Sequence, residues 1–211
     1  MNSRNGQSEP VAVTNVADAA REAISDNNWP RAEETLKLLI ENSNQPDASL
    51  AYNLALVLRY AKKPTEALEW FAKAIAWDSA HPKAHFERAV TRLEEGDLVG
   101  ALHDFAEHLK RFDSDQDALR NVGRLLIALD RWDEARRHWQ DLAMITGCDL
   151  EVELMLARIE SECGAPGAAQ SRLNRMAHNH PDMRPTLIKT ITHAARGRLP
   201  LKAARLFGDN P

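Results

Sequence analysis

The residues with chemical potential in this 211-residue chain are its eight histidines, its two cysteines and a few acidic runs. Asp113-Ser114-Asp115-Gln116-Asp117 begins like a calcium loop. Ala118, however, stands where the sharp turn requires glycine, and Arg124 where a bidentate glutamate should close the shell. The run therefore reads as a solvated acidic turn, with Asp115 placed to cap a following helix. His81 and His85 flank Pro82, and His178 and His180 form an H-x-H pair. Zinc needs three or four converging ligands, and neither pair has an acidic or cysteine partner at suitable spacing, so both read as surface histidines. Cys148 and Cys163 have no metal-type spacing and no histidine at local hydrogen-bonding distance, and read as ordinary reduced thiols. No glycine-rich phosphate loop occurs. The expectation is a chain without catalytic residues, metal site or cofactor.

The elements that must position these residues are helices. The chain holds 32 Ala and 25 Leu against 8 Val and 8 Ile, and β-branched residues favour strands whereas Ala and Leu favour helices. The longest apolar run, Leu125 to Leu129, is far short of the ~20 residues of a membrane span. A net charge of −4 with no basic tail or stripe argues against nucleic acid. Residues Met1 to Ala12 are polar and carry no apolar signal segment, so a cytoplasmic location is expected.

A repeat organises the whole chain. Ala32, Ala67, Ala101, Ala135, Ala169 and Ala203 recur at intervals of 35, 34, 34, 34 and 34. Four residues after each comes a large apolar side chain: Leu36, Phe71, Phe105, Trp139, Leu173 and Phe207. Twelve residues before each stand Ala20, Ala55, Ala89, Gly123, Ala157 and Ile191. Small residues on two helices let their backbones approach, and the bulky residue one turn later fills the space beside that contact. Gly123 costs about 1 kcal/mol in a helix interior, so close approach is the reason to keep it. Pro64, Pro166 and Pro200 suit the first turn of a second helix, where the missing N–H has no partner to lose. Upstream lie the turn pairs Asn27-Asn28, Lys62-Lys63, Gly96-Asp97, Asp130-Arg131 and Gly164-Ala165. Each unit is helix, tight turn, helix.

These columns resemble the tetratricopeptide repeat (TPR) family, whose unit is a 34-residue helical hairpin. The likeness is strongest from Leu50 to Ile75 and from Ala84 to Phe105. It implies an all-α, right-handed α-solenoid of about five full hairpins and a partial sixth. The units fall at 13–46, 48–81, 82–115, 116–149, 150–183 and 184–207, behind a disordered segment 1–12 and before a flexible end 208–211. The family's third small position reads Leu39, Ala74, His108, Leu142 and Met176, which predicts rearranged packing after units one, three, four and five. The second helix of unit six is about half the usual length, so the expectation is that this stub either caps the array or is followed by further chain beyond Pro211.

The resemblance also implies a function carried by a surface. In the family, first helices line a concave groove, which here would present Tyr52, Asn53, Arg59, Lys83, Phe86, Glu87, Arg120, Asn121, Arg124 and Arg158. Arg120, Asn121 and Arg124 share one helix face and could grip a carboxylate or phosphate, unless acids such as Asp117 and Glu87 occupy them. Reversing both arginines to glutamate is expected to leave the fold intact and abolish partner binding. The chaperone-type carboxylate clamp fits poorly, since the matching places hold Ala17, Arg21, Asn53, Lys83 and Glu87. The expectation is a non-enzymatic scaffold that binds a protein or peptide segment. The alternative is an N-terminal accessory region of a larger bacterial-type transferase or hydroxylase. Self-association through exposed end faces is a third reading.

Overall fold

The computed structural model describes residues 10–147 and 149–183. Over this range lie ten α-helices and no strand: α1 Pro10–Ser25, α2 Trp29–Glu41, α3 Ala48–Tyr60, α4 Pro64–Trp77, α5 Ala84–Glu94, α6 Leu98–Leu109, α7 Gln116–Ala128, α8 Trp132–Thr146, α9 Leu150–Glu162 and α10 Pro166–Asn179. A short 3₁₀ turn, Pro181–Met183, follows. Helix α1 begins at Pro10, inside the segment expected to be disordered, with proline at the first helical position where it costs no hydrogen bond. Cys148, the sixth unit at 184–207 and the flexible end at 208–211 lie outside the described residues. The chain divides into two compact bodies, residues 1–118 and 119–211.

Helices pair as hairpins through a turn that repeats in backbone geometry while changing in sequence. Asn27, Lys62, Gly96, Asp130 and Gly164 all have positive φ, from 54° to 82°. Around each, the next N–H reaches back five residues, as from Asn28 to the Ala23 carbonyl, Lys63 to Leu58, Asp97 to Arg92, Arg131 to Leu126 and Ala165 to Glu160. This is the Schellman closure, which satisfies the last carbonyls of the first helix and needs one left-handed residue. The following residue then starts the second helix. The Asn28 and Asp97 side chains accept N–H bonds from Arg31 and Gly100. Pro64 and Pro166 open α4 and α10 as the spacing predicts. Aspartates cap the first helices instead: Asp47 on α3, Asp115 on α7 and Asp149 on α9 each accept two backbone N–H bonds.

The alanine register is what the hairpins bury. Ala32, Ala67, Ala101, Ala135 and Ala169 are fully buried, as are Phe71, Phe105 and Trp139, with Leu36 and Leu173 nearly so. In the first body one cluster joins Ala20, Ala32 and Leu36 of the first hairpin to Leu54, Ala55, Ala67 and Phe71 of the second. In the second body Ala157 meets Leu173, Met176 and Ala177 across the last hairpin. The enlarged third position is absorbed rather than left open, because His108, Leu142 and Met176 are all buried.

Candidate functional site

In the first body the expected groove residues lie on the first helices α3 and α5. Arg59 Nη1 donates to Glu87 Oε2 at 2.6 Å, and its Nε lies 3.3 Å from Glu94 Oε2, so an ion pair ties α3 to α5. Tyr52 is half-buried, its ring 4.6 Å from that of His81 and 6.0 Å from that of Phe71. Burial first, and the Glu87 charge next, push the Tyr52 hydroxyl up to about 12, so it stays a neutral donor. Phe86 sets its edge against Phe105 and His108, each 5.3 Å away. Leu56, Val90 and Asn53 are also half-buried, and the Asn53 side chain makes no hydrogen bond among the described residues. Lys83 is exposed at the start of α5.

In the second body the arginines on α7 are already matched to carboxylates. Arg120 donates to Asp149 Oδ2 at 2.8 Å and to Glu151 Oε2 at 3.2 Å, while Arg124 Nε reaches Glu151 Oε1 at 2.7 Å. Asn121 Oδ1 accepts from Arg124 at 3.4 Å. The partners are therefore Asp149, which caps α9, and Glu151 in its first turn, in place of Asp117 or Glu87. The Arg120 hydrogen bond is the largest influence holding the Asp149 carboxyl below its ordinary range, against the opposing effect of burial. Reversing Arg120 and Arg124 would thus set new carboxylates against Asp149 and Glu151, and is not the fold-neutral change expected from sequence. Arg158 differs, since its Nε is buried without a hydrogen-bond partner.

Two polar features escaped the sequence reading. Asp104 of α6 is completely buried, yet Arg88 of α5 holds it in a two-bond fork at 2.6 and 2.8 Å and Arg92 adds a third bond at 2.9 Å. A buried carboxylate persists only when so matched, and this one locks α5 to α6. His81 and His85, expected at the surface, are half-buried, and the Nδ1 atoms of both are buried without a hydrogen bond among the described residues, that of His85 lying 3.6 Å from Asp104 Oδ1. The Arg88–Asp104 spacing of 16 residues crosses a hairpin turn, so no same-helix pattern reveals it. The acidic Asp113–Asp117 run does what its spacing predicts, Asp115 capping α7 and also receiving His108 Nε2 at 2.8 Å.

A family model described as Tetratricopeptide repeat matches residues 17–85 and 86–144. The chain belongs to the tetratricopeptide repeat family. No curated protein matches it. Among solved structures, a tetratricopeptide repeat protein from Parabacteroides merdae is similar at 19% identity and a TM-score of 0.72, covering 92% of this chain and 82% of that one. MamA from Desulfovibrio magneticus is similar at 12% identity and a TM-score of 0.68, covering 81% and 96%. YrrB, described as a TPR protein with an unusual peptide-binding site, is similar at 20% identity and a TM-score of 0.60, covering 84% and 95%. At such identities the likeness establishes the TPR fold. Among the described residues of this TPR chain, no helix is long and apolar enough to cross a membrane, and no three His, Cys, Asp or Glu side chains are grouped to hold a metal ion.

Proposed function

We propose that this TPR chain is a non-catalytic scaffold that holds a protein segment against the α3–α5 face of its first body. The observation that carries this reading is the Arg59–Glu87 pair, which ties α3 to α5, the two helices that carry half-buried Tyr52, Leu56, Phe86 and Val90. Asn53 of α3 has its amide unspent, able to bond a backbone peptide group of an extended segment. Arg120 and Arg124 are poorer anchors, because an incoming anion must displace Asp149 and Glu151 from them. Arg158, which makes no ion pair among the described residues, is the better cationic contact in the second body. The peptide-binding description of YrrB and family membership support the same reading.

A photo-crosslinking residue at Leu56, compared with one at exposed Val99 on second helix α6, tests the assignment in cells. The expected result is a discrete adduct from position 56 alone, lost when Asn53→Arg is added. Equal adducts from both positions would remove the first-helix face as the binding surface.

A further inference from the structure

At the edge of the first body a cleft of about 440 Å³ lies between the C-terminal ends of α4 and α6 and the start of α5. Three of the chain's eight histidines line it: His81 from the loop, His85 from α5 and His108 from α6. His108 is occupied structurally, bonded to Asp115 and stacked on Phe112 at 4.8 Å. His81 lies obliquely against Tyr52 at 4.6 Å and His85 Nδ1 stands 3.6 Å from Asp104 Oδ1, but neither buried Nδ1 has a hydrogen-bond partner among the described residues. Such atoms are costly to bury, which is why native proteins rarely keep them without a use.

The charge in the cleft favours one class of ligand. Arg111 lines it and makes no side-chain pair among the described residues. Glu107 is engaged by Lys110 at 2.6 Å, and Asp104 behind His85 is already matched by Arg88 and Arg92. The N-terminus of α5 opens at Lys83 with no side-chain cap, leaving the first N–H groups and the positive end of the helix beside His85. Donors therefore outnumber free acceptors. The histidines and Glu107 are not grouped for metal ligation.

We propose that this cleft is a binding site for a compact tetrahedral oxyanion of the phosphate or sulfate type, held by His81, His85 and Arg111 and separate from the α3–α5 face. Binding is coupled to proton uptake. Burial lowers the proton affinity of both imidazoles, against the charges of Asp78 for His81 and of Asp104 and Glu107 for His85, while Arg88 acts with burial on His85. The Tyr52 ring covers His81 from α3, and His108 and Lys110 bring further positive or protonatable groups from α6. Both imidazoles are thus mostly neutral at pH 7.5, and an anion that draws a proton onto them binds more tightly as the pH falls towards 6.

The test is an NMR titration of the full chain with sulfate, which does not itself titrate here, at pH 6.0 and 7.5, with chloride at matched ionic strength as control. The expected result is saturable movement of the His81 and His85 ring signals with sulfate alone, several-fold tighter at pH 6.0, and weakened roughly tenfold by Arg111→Ala at this exposed position. Inorganic phosphate and a phosphoserine peptide run in parallel assign the source, tighter peptide binding placing the anion on a partner and equal binding making it a free ion. Linear shifts, equal response to chloride, or binding unchanged in Arg111→Ala would overturn the proposal, while the Leu56 crosslink is unaffected either way.

Discussion

Gly123 of α7 and Trp139 of α8 share a single volume: a Cβ on residue 123 would lie 2.5 to 2.8 Å from three atoms of the indole ring. The glycine is the complement of the largest side chain in the bulky column. Gly123→Ala should gain about 1 kcal/mol of helix propensity and lose about 1–3 kcal/mol to overpacking against a fully buried ring, for a net destabilisation of about 1 kcal/mol. Urea unfolding checks this, and in a Trp139→Leu background the same change should become stabilising. A gain in the wild-type background would mean the ring yields.

Lys62 occupies the left-handed turn position that Gly96 and Gly164 fill elsewhere. A non-glycine residue there costs about 1–2 kcal/mol, and glycine costs about 0.5–1 kcal/mol in unfolded-chain entropy. Lys62→Gly should therefore raise stability by about 0.5–1 kcal/mol. Asn27→Gly should change it less, because asparagine tolerates that backbone. Thermal melts of both variants decide the matter.

The alanine columns predict a contrast between two otherwise equal changes. Ala101→Leu places three further carbons into a fully buried contact and should cost about 1–3 kcal/mol, whereas Ala72→Leu on the exposed side of α4 should cost almost nothing. Equal melting temperatures would show that the register is wrong.

The Arg120–Asp149 bond gives stability a pH dependence of known sign. Asp149 has its folded pKa held below the unfolded value, so the unfolded state binds a proton first and stability rises with pH through that window. The contribution is complete above about pH 5 and is lost as pH falls below about 4. Arg120→Met should lower stability on the order of 1 kcal/mol at pH 7 and flatten this acid limb, as urea midpoints from pH 3 to 7 would report. An unchanged slope would show that another carboxylate governs the limb.

The fold was readable because its determinants are local and periodic. The columns through Ala67, Phe71 and Ala55 carry helix, turn and packing partner within one repeat length, and the turn pairs mark the left-handed residues themselves. The site was less readable because its polar partners come from the next repeat or across a hairpin. Arg120 was recognised, but Glu151 on α9 gives no signal on α7, and the nearer Asp117 was the natural guess. Burial of Asp104 and of the His81 and His85 rings depends on which faces meet. A one-helix pattern does not contain that information.

The ion pairs between first helices also make the hairpins non-interchangeable. Counting two repeats back from Glu151 leads to Lys83, so the third hairpin set beside Arg120 would meet it with a basic group. Counting two repeats forward from Glu87 leads to Met155, which would leave Arg59 without a carboxylate. The buried alanines Ala32, Ala67, Ala101, Ala135 and Ala169 are common to the described units and do not distinguish one from another. Arg59–Glu87 and Arg120–Glu151 act as keys that fit one neighbour each, and so they encode the order of the units along the array.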